Sequence, residues 1–179
     1  MLSEEKCNIH WCRDPALAPE LAQFFAANIT PEYISHSELQ GPRALDVGQW
    51  RPGIVDIFAA EIETRVARER GKIAAGAASF PILEARSGGD LVAVGFASFF
   101  LEATVPYAIL EDIVVEAARR GRGIGKAVID WVGQEAERAG CKRIFLESGV
   151  SNHHAHELFE REGFSICSVV MMKRLSGRA

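Results

Sequence analysis

The chain has 179 residues, 48% of them hydrophobic and 25% charged, with 24 acidic against 20 basic side chains for a net charge of −4. At about 150 residues per domain this length predicts one domain over residues 1–179, and the composition excludes a disordered chain. The mild negative charge gives no general pull toward nucleic acid or an anionic membrane.

The first ten residues, MLSEEKCNIH, contain no apolar run, so no signal peptide is expected. No window is apolar for long enough to predict a membrane span. Cys7, Cys12, Cys141 and Cys167 are scattered without a CxxC pair. They read as reduced thiols of a cytoplasmic protein.

Ile9 to Cys12 predicts a short strand. Asp14-Pro15 opens a helix as N-cap and first helical residue, with Leu17, Leu21, Phe24 and Phe25 as its apolar stripe. Thr30 to Gly53 reads as a loop with one helical turn near Ser37 to Gln40. Ile54 to Arg70 is a second helix, because Ile54, Ile57, Phe58, Ile62 and Val66 recur at spacings of three and four. Lys72 to Phe80 has no clear pattern. Pro81–Arg86 and Leu91–Leu101 read as a hairpin joined by Ser87-Gly88-Gly89-Asp90. Tyr107–Val115 is a third strand of this region. Ile124–Ala139 is a helix, Arg143–Glu147 a strand, Asn152–Glu162 a short helix and Ser165–Lys173 a last strand. Strands interleaved with helices predict a mixed α/β or α+β sheet.

The most informative segment is Arg120-Gly121-Arg122-Gly123-Ile124-Gly125-Lys126, between a predicted strand and a predicted helix. Glycines allow close approach of a ligand to the backbone, and a helix start favours an anion. Arg120, Arg122 and Lys126 add positive charge. The segment fails the Walker pattern, since Ala127 follows Lys126 and Arg120 stands at the first glycine position. It fails the dinucleotide pattern because Lys126 occupies the third glycine position. The bland reading is a glycine-rich turn with solvated arginines.

The pattern Arg120-x-x-Gly123-x-Gly125, after LEDIVV and before an amphipathic helix, resembles the acetyl-CoA signature of the GNAT superfamily of N-acetyltransferases. Asn152, Ala155, Leu158, Phe159 and Gly163-Phe164 resemble the family's second block, in the same order along the chain. The resemblance implies a mixed, mostly antiparallel central sheet flanked by helices, splayed between its fourth and fifth strands. Those are Tyr107–Val115 and Arg143–Glu147, with acetyl-CoA entering between them. It further implies that backbone amides from Arg120 to Gly125 hold the pyrophosphate, and that the backbone of Ile113, Val114 and Val115 pairs with the pantetheine arm. Asn152 would contact the cofactor by its side chain, with Ala155 and Phe159 on the same helix face. The plain alternative for Asn152 is a helix N-cap.

Direct transfer needs a neutral amine and a group to take its proton. Glu111 and Asp112 are adjacent on a strand and must face opposite sides. Burial of either would raise its pKa. Glu111 matches the glutamate of the LED sequence in polyamine-type GNAT enzymes, which implies a base role; Asp112 reads as structural. The tyrosine that family members use toward the departing thiolate is replaced by Phe159. His156, four residues after Asn152, is the candidate acid in its stead, with water as the alternative. His153, His154 and His156 lack a matching carboxylate or cysteine spacing, so no metal site is expected.

The resemblance thus predicts an acetyl-CoA-dependent N-acetyltransferase acting on a primary amine. The acidic pair favours a small cationic acceptor. The alternatives are an acyl-CoA-binding regulatory module, or transfer to a protein N-terminus or lysine. The acceptor pocket is expected from Phe24 to Trp50, Phe99 to Tyr107 and the C-terminal region. No nucleic-acid or membrane partner is expected, and the family's habit implies a homodimer.

Overall fold

A computed structural model describes residues 5–70 and 78–175. The chain opens with β1 (Asn8–Trp11), then a 3-10 turn over Pro15–Leu17 that runs into α1 (Ala18–Asn28). Asp14 caps this turn as its sequence predicts: its Oδ1 accepts from the Ala16 amide at 3.0 Å. A second 3-10 turn, Pro31–Tyr33, leads to α2 (His36–Gln40). Ser35 and Glu38 form a reciprocal capping box at its start. The expected loop also holds a small hairpin, β2 (Ala44–Asp46) and β3 (Gln49–Trp50), which lacks an alternating apolar pattern to announce it.

α3 (Ile54–Arg70) follows as predicted, and then β4 (Ile82–Ser87), β5 (Asp90–Phe100) and β6 (Tyr107–Val115). The β4–β5 turn takes left-handed backbone at Gly88 (φ 59°) and Gly89 (φ 96°), which only glycine adopts freely. α4 (Ile124–Arg138), β7 (Arg143–Leu146) and α5 (His153–Arg161) complete the elements. Of the patternless stretch Lys72 to Phe80, residues 71–77 lie outside the described residues; Ser79 bridges to Phe99.

The five-stranded sheet has the order β1-β4-β5-β6-β7. All pairings are antiparallel except β6–β7, which is parallel from Tyr107 opposite Arg143 to Leu110 opposite Leu146. Beyond Leu110 that pairing stops, while β6 continues to Val115. The sheet therefore opens as a wedge between β6 and β7, where the resemblance places it.

Two apolar layers hold the wedge. On one face α1 and α3 contribute Leu21, Phe25, Phe58 and Ile62 against Ile82, Val94 and Phe96. The rings of Phe25 and Phe58 lie 4.2 Å apart between centroids. On the other face α4 and α5 contribute Ile124, Val128, Val132 and Phe159 against Leu83, Ala93 and Leu110. Each face buries several large side chains, each worth about 1.5–3 kcal/mol of transfer free energy.

The predicted last strand over Ser165–Lys173 is corrected by the structure. The segment pairs with no strand among the described residues, and its side chains are exposed. Its pattern is mostly apolar, but strand formation needs a partner edge as well as a pattern. No helix among the described residues is long and apolar enough to cross a membrane.

Candidate active site

A β-bulge shapes the floor of the wedge. Phe96 of β5 pairs with Asp112 and the next residue, Ala97, pairs with Leu110, so Glu111 is the extra residue. Gly95 lies across from this point, and a Cβ there would stand 2.8 Å from the Asp112 carbonyl oxygen. The two carboxylates diverge as strand geometry requires. Asp112 is 2% exposed, whereas the Glu111 side chain is 26% exposed.

Asp112 is locked in a buried network. It accepts from the Tyr33 hydroxyl at 2.9 Å and from Arg43 Nη1 at 2.8 Å. The Tyr33 oxygen in turn accepts from the Ile113 amide at 3.1 Å. Burial, reinforced by the neighbouring Asp112 charge, pushes the Tyr33 phenol well above its ordinary range. Burial opposes the Arg43 charge, but Asp112 and Glu61 outweigh it and hold the guanidinium more firmly protonated than usual. Arg43 also grips Glu61 with Nε at 3.0 Å and Nη2 at 2.9 Å. Asp112 is thereby a structural acid, as its sequence context suggests.

Glu111 is held differently. It accepts from Arg65 Nη2 at 2.6 Å and from the Ser98 hydroxyl. Arg65 Nη1 is buried and has no hydrogen-bond partner among the described residues. Glu147, just past β7, accepts from Ser35 Oγ at 2.8 Å and from the Ser37 amide at 2.9 Å.

The wedge opens into a cleft of about 1070 Å³. That exceeds the roughly 300–1,000 Å³ of ordinary small-molecule sites. Ile113, Val114 and Val115 line it from β6, and Arg120, Gly121, Gly123, Ile124, Gly125 and Lys126 from the turn into α4. Asn152, Ala155 and Phe159 line it from α5, and Glu111 stands at its inner end. Arg122 does not line it: its carbonyl accepts from the Glu5 amide at 3.0 Å, and its side chain lies near Glu5 and the Ala118 carbonyl. His156 is also outside the lining, its ring edge-on to His153 at 6.2 Å. A shared helix face with Asn152 is therefore not enough to bring its imidazole to the cleft.

The turn is a backbone cradle. Gly121 and Gly123 have φ of 76° and 84°, and a Cβ at Gly121 would meet nothing within 4 Å. Among the described residues, the amides of Gly121 to Lys126 donate to no backbone acceptor, and α4 has no side-chain cap. These free donors at a helix start suit a phosphate. The basic side chains are already engaged. Arg120 reaches the Val115 carbonyl at 3.2 Å and the Asn28 carbonyl. Lys126 pairs with Asp130 and Glu162 at 2.8 and 2.9 Å, and those contacts raise its pKa. Asn152 precedes α5 but makes no side-chain cap bond, so its amide is left to the cleft.

One feature escaped the sequence, and a second was foreseen only through the Phe24–Trp50 segment. Ser148 lines the cleft, and its buried Oγ has no partner among the described residues. A second cavity of about 870 Å³ lies beyond β6, lined by Glu38, Arg43, Glu61, Arg65, Asp112 and others. Glu38, Glu111 and Glu147 line both cavities. Only the phase of the strand hinted at this shared wall; the contacts themselves come from remote segments.

Comparison with known proteins fits this geometry. A family model described as the acetyltransferase (GNAT) family matches residues 48–164. A glucosamine 6-phosphate N-acetyltransferase of Arabidopsis thaliana is 27% identical over 95 residues, which is 51% of this chain and 62% of that protein. A streptothricin acetyltransferase of Streptomyces lavendulae is 32% identical over 81 residues, 45% of this chain and 42% of that one. The chain thus matches less than two thirds of the length of these curated relatives. A predicted acetyltransferase from Clostridium acetobutylicum, solved with acetyl-CoA, shares the fold with a TM-score of 0.66 at 13% identity, covering 94% of this chain and 96% of that one.

Proposed function

This chain belongs to the GNAT family of acetyltransferases, and on that premise we propose that it transfers an acetyl group from acetyl-CoA to a primary amine of a small cationic acceptor. One observation carries the reading. Glu111 stands in the wall shared by the cleft that fits the cofactor and the cavity that fits an acceptor.

The fit to acetyl-CoA rests on the free amides of Gly121 to Lys126 for the pyrophosphate and, for the pantetheine arm, on the stretch of β6 beyond Leu110 that no longer pairs with β7, where Tyr33 holds the Ile113 amide and Arg120 the Val115 carbonyl. Asn152 adds a side chain free of capping duty. Bound acetyl-CoA supplies a thioester whose carbonyl carbon is open to attack. The acceptor cavity gathers Glu38, Glu61, Glu111, Asp112 and Glu147 against Arg43 and Arg65, an excess of three negative charges. Such a wall attracts a cation and repels a phosphorylated amine. The unpartnered Nη1 of Arg65 favours an acceptor that also offers an oxygen atom near its amine.

Glu111 takes one proton from the amine, directly or through a water, as the C–N bond forms and the C–S bond breaks. Arg65 and Ser98 fix the carboxylate for that task. Ser148 Oγ is the hydroxyl we assign to hydrogen-bond the departing sulfur, where Phe159 has none to offer and His156 lies aside. Water provides the proton that completes the free thiol.

The reading is tested by calorimetric titration with acetyl-CoA and CoA, followed by thiol release across an amine panel. Micromolar acetyl-CoA binding, with release by cationic amines and not by phosphorylated ones, supports it. No binding of either CoA form to folded protein overturns it. Binding without release across the panel, protein-derived amines included, turns it into a CoA-binding module.

A further inference from the structure

The turn from Gly121 to Lys126 keeps its amides free for a ligand, so those amides cannot hold the turn itself. Gly121 and Gly123 add left-handed backbone, and glycine has more conformational freedom to lose than any other residue. A loop that orders only when its ligand arrives gives up affinity to that ordering, and an outside brace removes the loss.

Glu5 reaches the turn from outside in two ways. Its amide donates to the Arg122 carbonyl at 3.0 Å. Among the described residues this is the one backbone hydrogen bond that ties Gly121–Lys126 to a remote segment. Its carboxylate accepts from Arg119 Nη1 at 2.5 Å and lies 3.7 Å from Arg122 Nη1. The Glu5 side chain is 16% exposed, although it stands ahead of the first strand. The bond from Arg119 holds the Glu5 carboxyl below its usual range against the opposing effect of burial, so the contact is charged at neutral pH.

Arg119 makes this contact a junction. It lines the cleft directly before the turn, and it also pairs with Asp90 at the start of β5 and with Glu116 just after β6, each at 2.7 Å. Carboxylates from three separate segments thus converge on one guanidinium. A lone surface ion pair contributes little, but a network of this kind fixes a shape. The other end of the Glu5 segment is anchored in the sheet, where Asn8 lies opposite Arg86 of β4.

We propose that Glu5 is a positioning residue for acetyl-CoA, bracing from outside the cleft the turn whose amides receive the pyrophosphate. The inference rests on the reading of that turn as the pyrophosphate site. Its sign is opposite to that of charge alone. Glu5 is an anion close to the site of an anion, and its removal frees positive charge on Arg119 and Arg122. A pure field effect would therefore tighten acetyl-CoA binding when Glu5 is replaced. Loss of a brace weakens it.

The test uses the full chain and two variants. E5A removes the carboxylate, and E5P removes the amide donor as well. Dissociation constants are measured by calorimetry for acetyl-CoA and for S-acetylpantetheine, the same thioester without pyrophosphate or nucleotide. E5A should bind acetyl-CoA about tenfold more weakly than the parent, and E5P at least as weakly, while both hold S-acetylpantetheine within about twofold of the parent. Acetyl-CoA affinity that is unchanged or tighter in either variant overturns the inference and leaves the acetyl-transfer reading standing. Equal weakening toward both thioesters also overturns it, because a general loosening of the fold would do the same. A parent protein that binds no acetyl-CoA overturns the acetyl-transfer reading, and the inference with it.

Discussion

Ser148 and Tyr33 show how a single polar group can be assigned by its partners. The Ser148 hydroxyl is buried at the cleft wall with nothing to bond among the described residues. An orphaned hydroxyl costs free energy, which a partner brought by a ligand in the cleft would recover, as the proposed bond to the departing sulfur requires. Ser148→Ala should lower kcat by about tenfold, the worth of one hydrogen bond gained at the transition state, with little change in the KM for acetyl-CoA. An unchanged kcat would remove Ser148 from the reaction. Tyr33 makes the opposite case, with both hydrogen-bonding roles filled by Asp112 and the Ile113 amide. Its folded pKa is raised, so its contribution to stability is present below about pH 10, the unfolded value, and is lost as pH rises toward the folded value. In an alkaline titration, the tyrosinate absorbance that Tyr33→Phe removes should appear only above the ordinary range, together with loss of the fold. Appearance near pH 10 in folded protein would contradict the buried network. Neither role was legible in sequence. Tyr33 and Asp112 are 79 residues apart, and Ser148 belongs to no motif.

At the scale of elements, the glycines of the cleft separate ligand space from packing. Gly121 has room for a Cβ and left-handed backbone, the mark of a turn left open for a ligand. Gly149 has none: a Cβ would stand 2.2 Å from the Glu32 carbonyl oxygen and 2.7 Å from that of Ile34. The Pro31–Tyr33 turn and Ile34 therefore rest directly on the segment that follows β7. Gly149→Ala should cost about 1–3 kcal/mol by overpacking, read as a lower midpoint of denaturant unfolding. A midpoint equal to the parent's would mean that the turn moves aside freely. Most elements were legible because their period is strong: α3, α4, β5 and β6 fall within a residue or two of expectation. The β2–β3 hairpin was not, since its strands of three and two residues are too short to show a period. The tail was misread for the reverse reason. Its residues suit a strand, but pairing depends on an edge that the sequence does not display.

For the molecule as a whole, the opened sheet joins two cavities through one wall of carboxylates. The wedge itself was legible through the two motif blocks and the strand between them. The glycine-rich turn was legible as a turn with free amides before a helix, although its basic side chains Arg120 and Lys126 prove to be tied to the protein. The acceptor cavity was legible only in part: Glu38 and Arg43 come from the Phe24–Trp50 segment expected to build it, Glu61 and Arg65 come from a helix face with no motif, and neither Phe99–Tyr107 nor the C-terminal region lines it. Its charge and the place of Glu111 make a claim about chemistry that one comparison tests most directly. Glu111→Gln and the parent protein are titrated with acetyl-CoA and then assayed for amine-dependent thiol release. The account predicts acetyl-CoA affinity within about twofold of the parent, with turnover reduced at least about a hundredfold, the usual worth of a positioned base. Turnover close to that of the parent, with the same affinity, would contradict the assignment of Glu111 as the group that takes the amine proton.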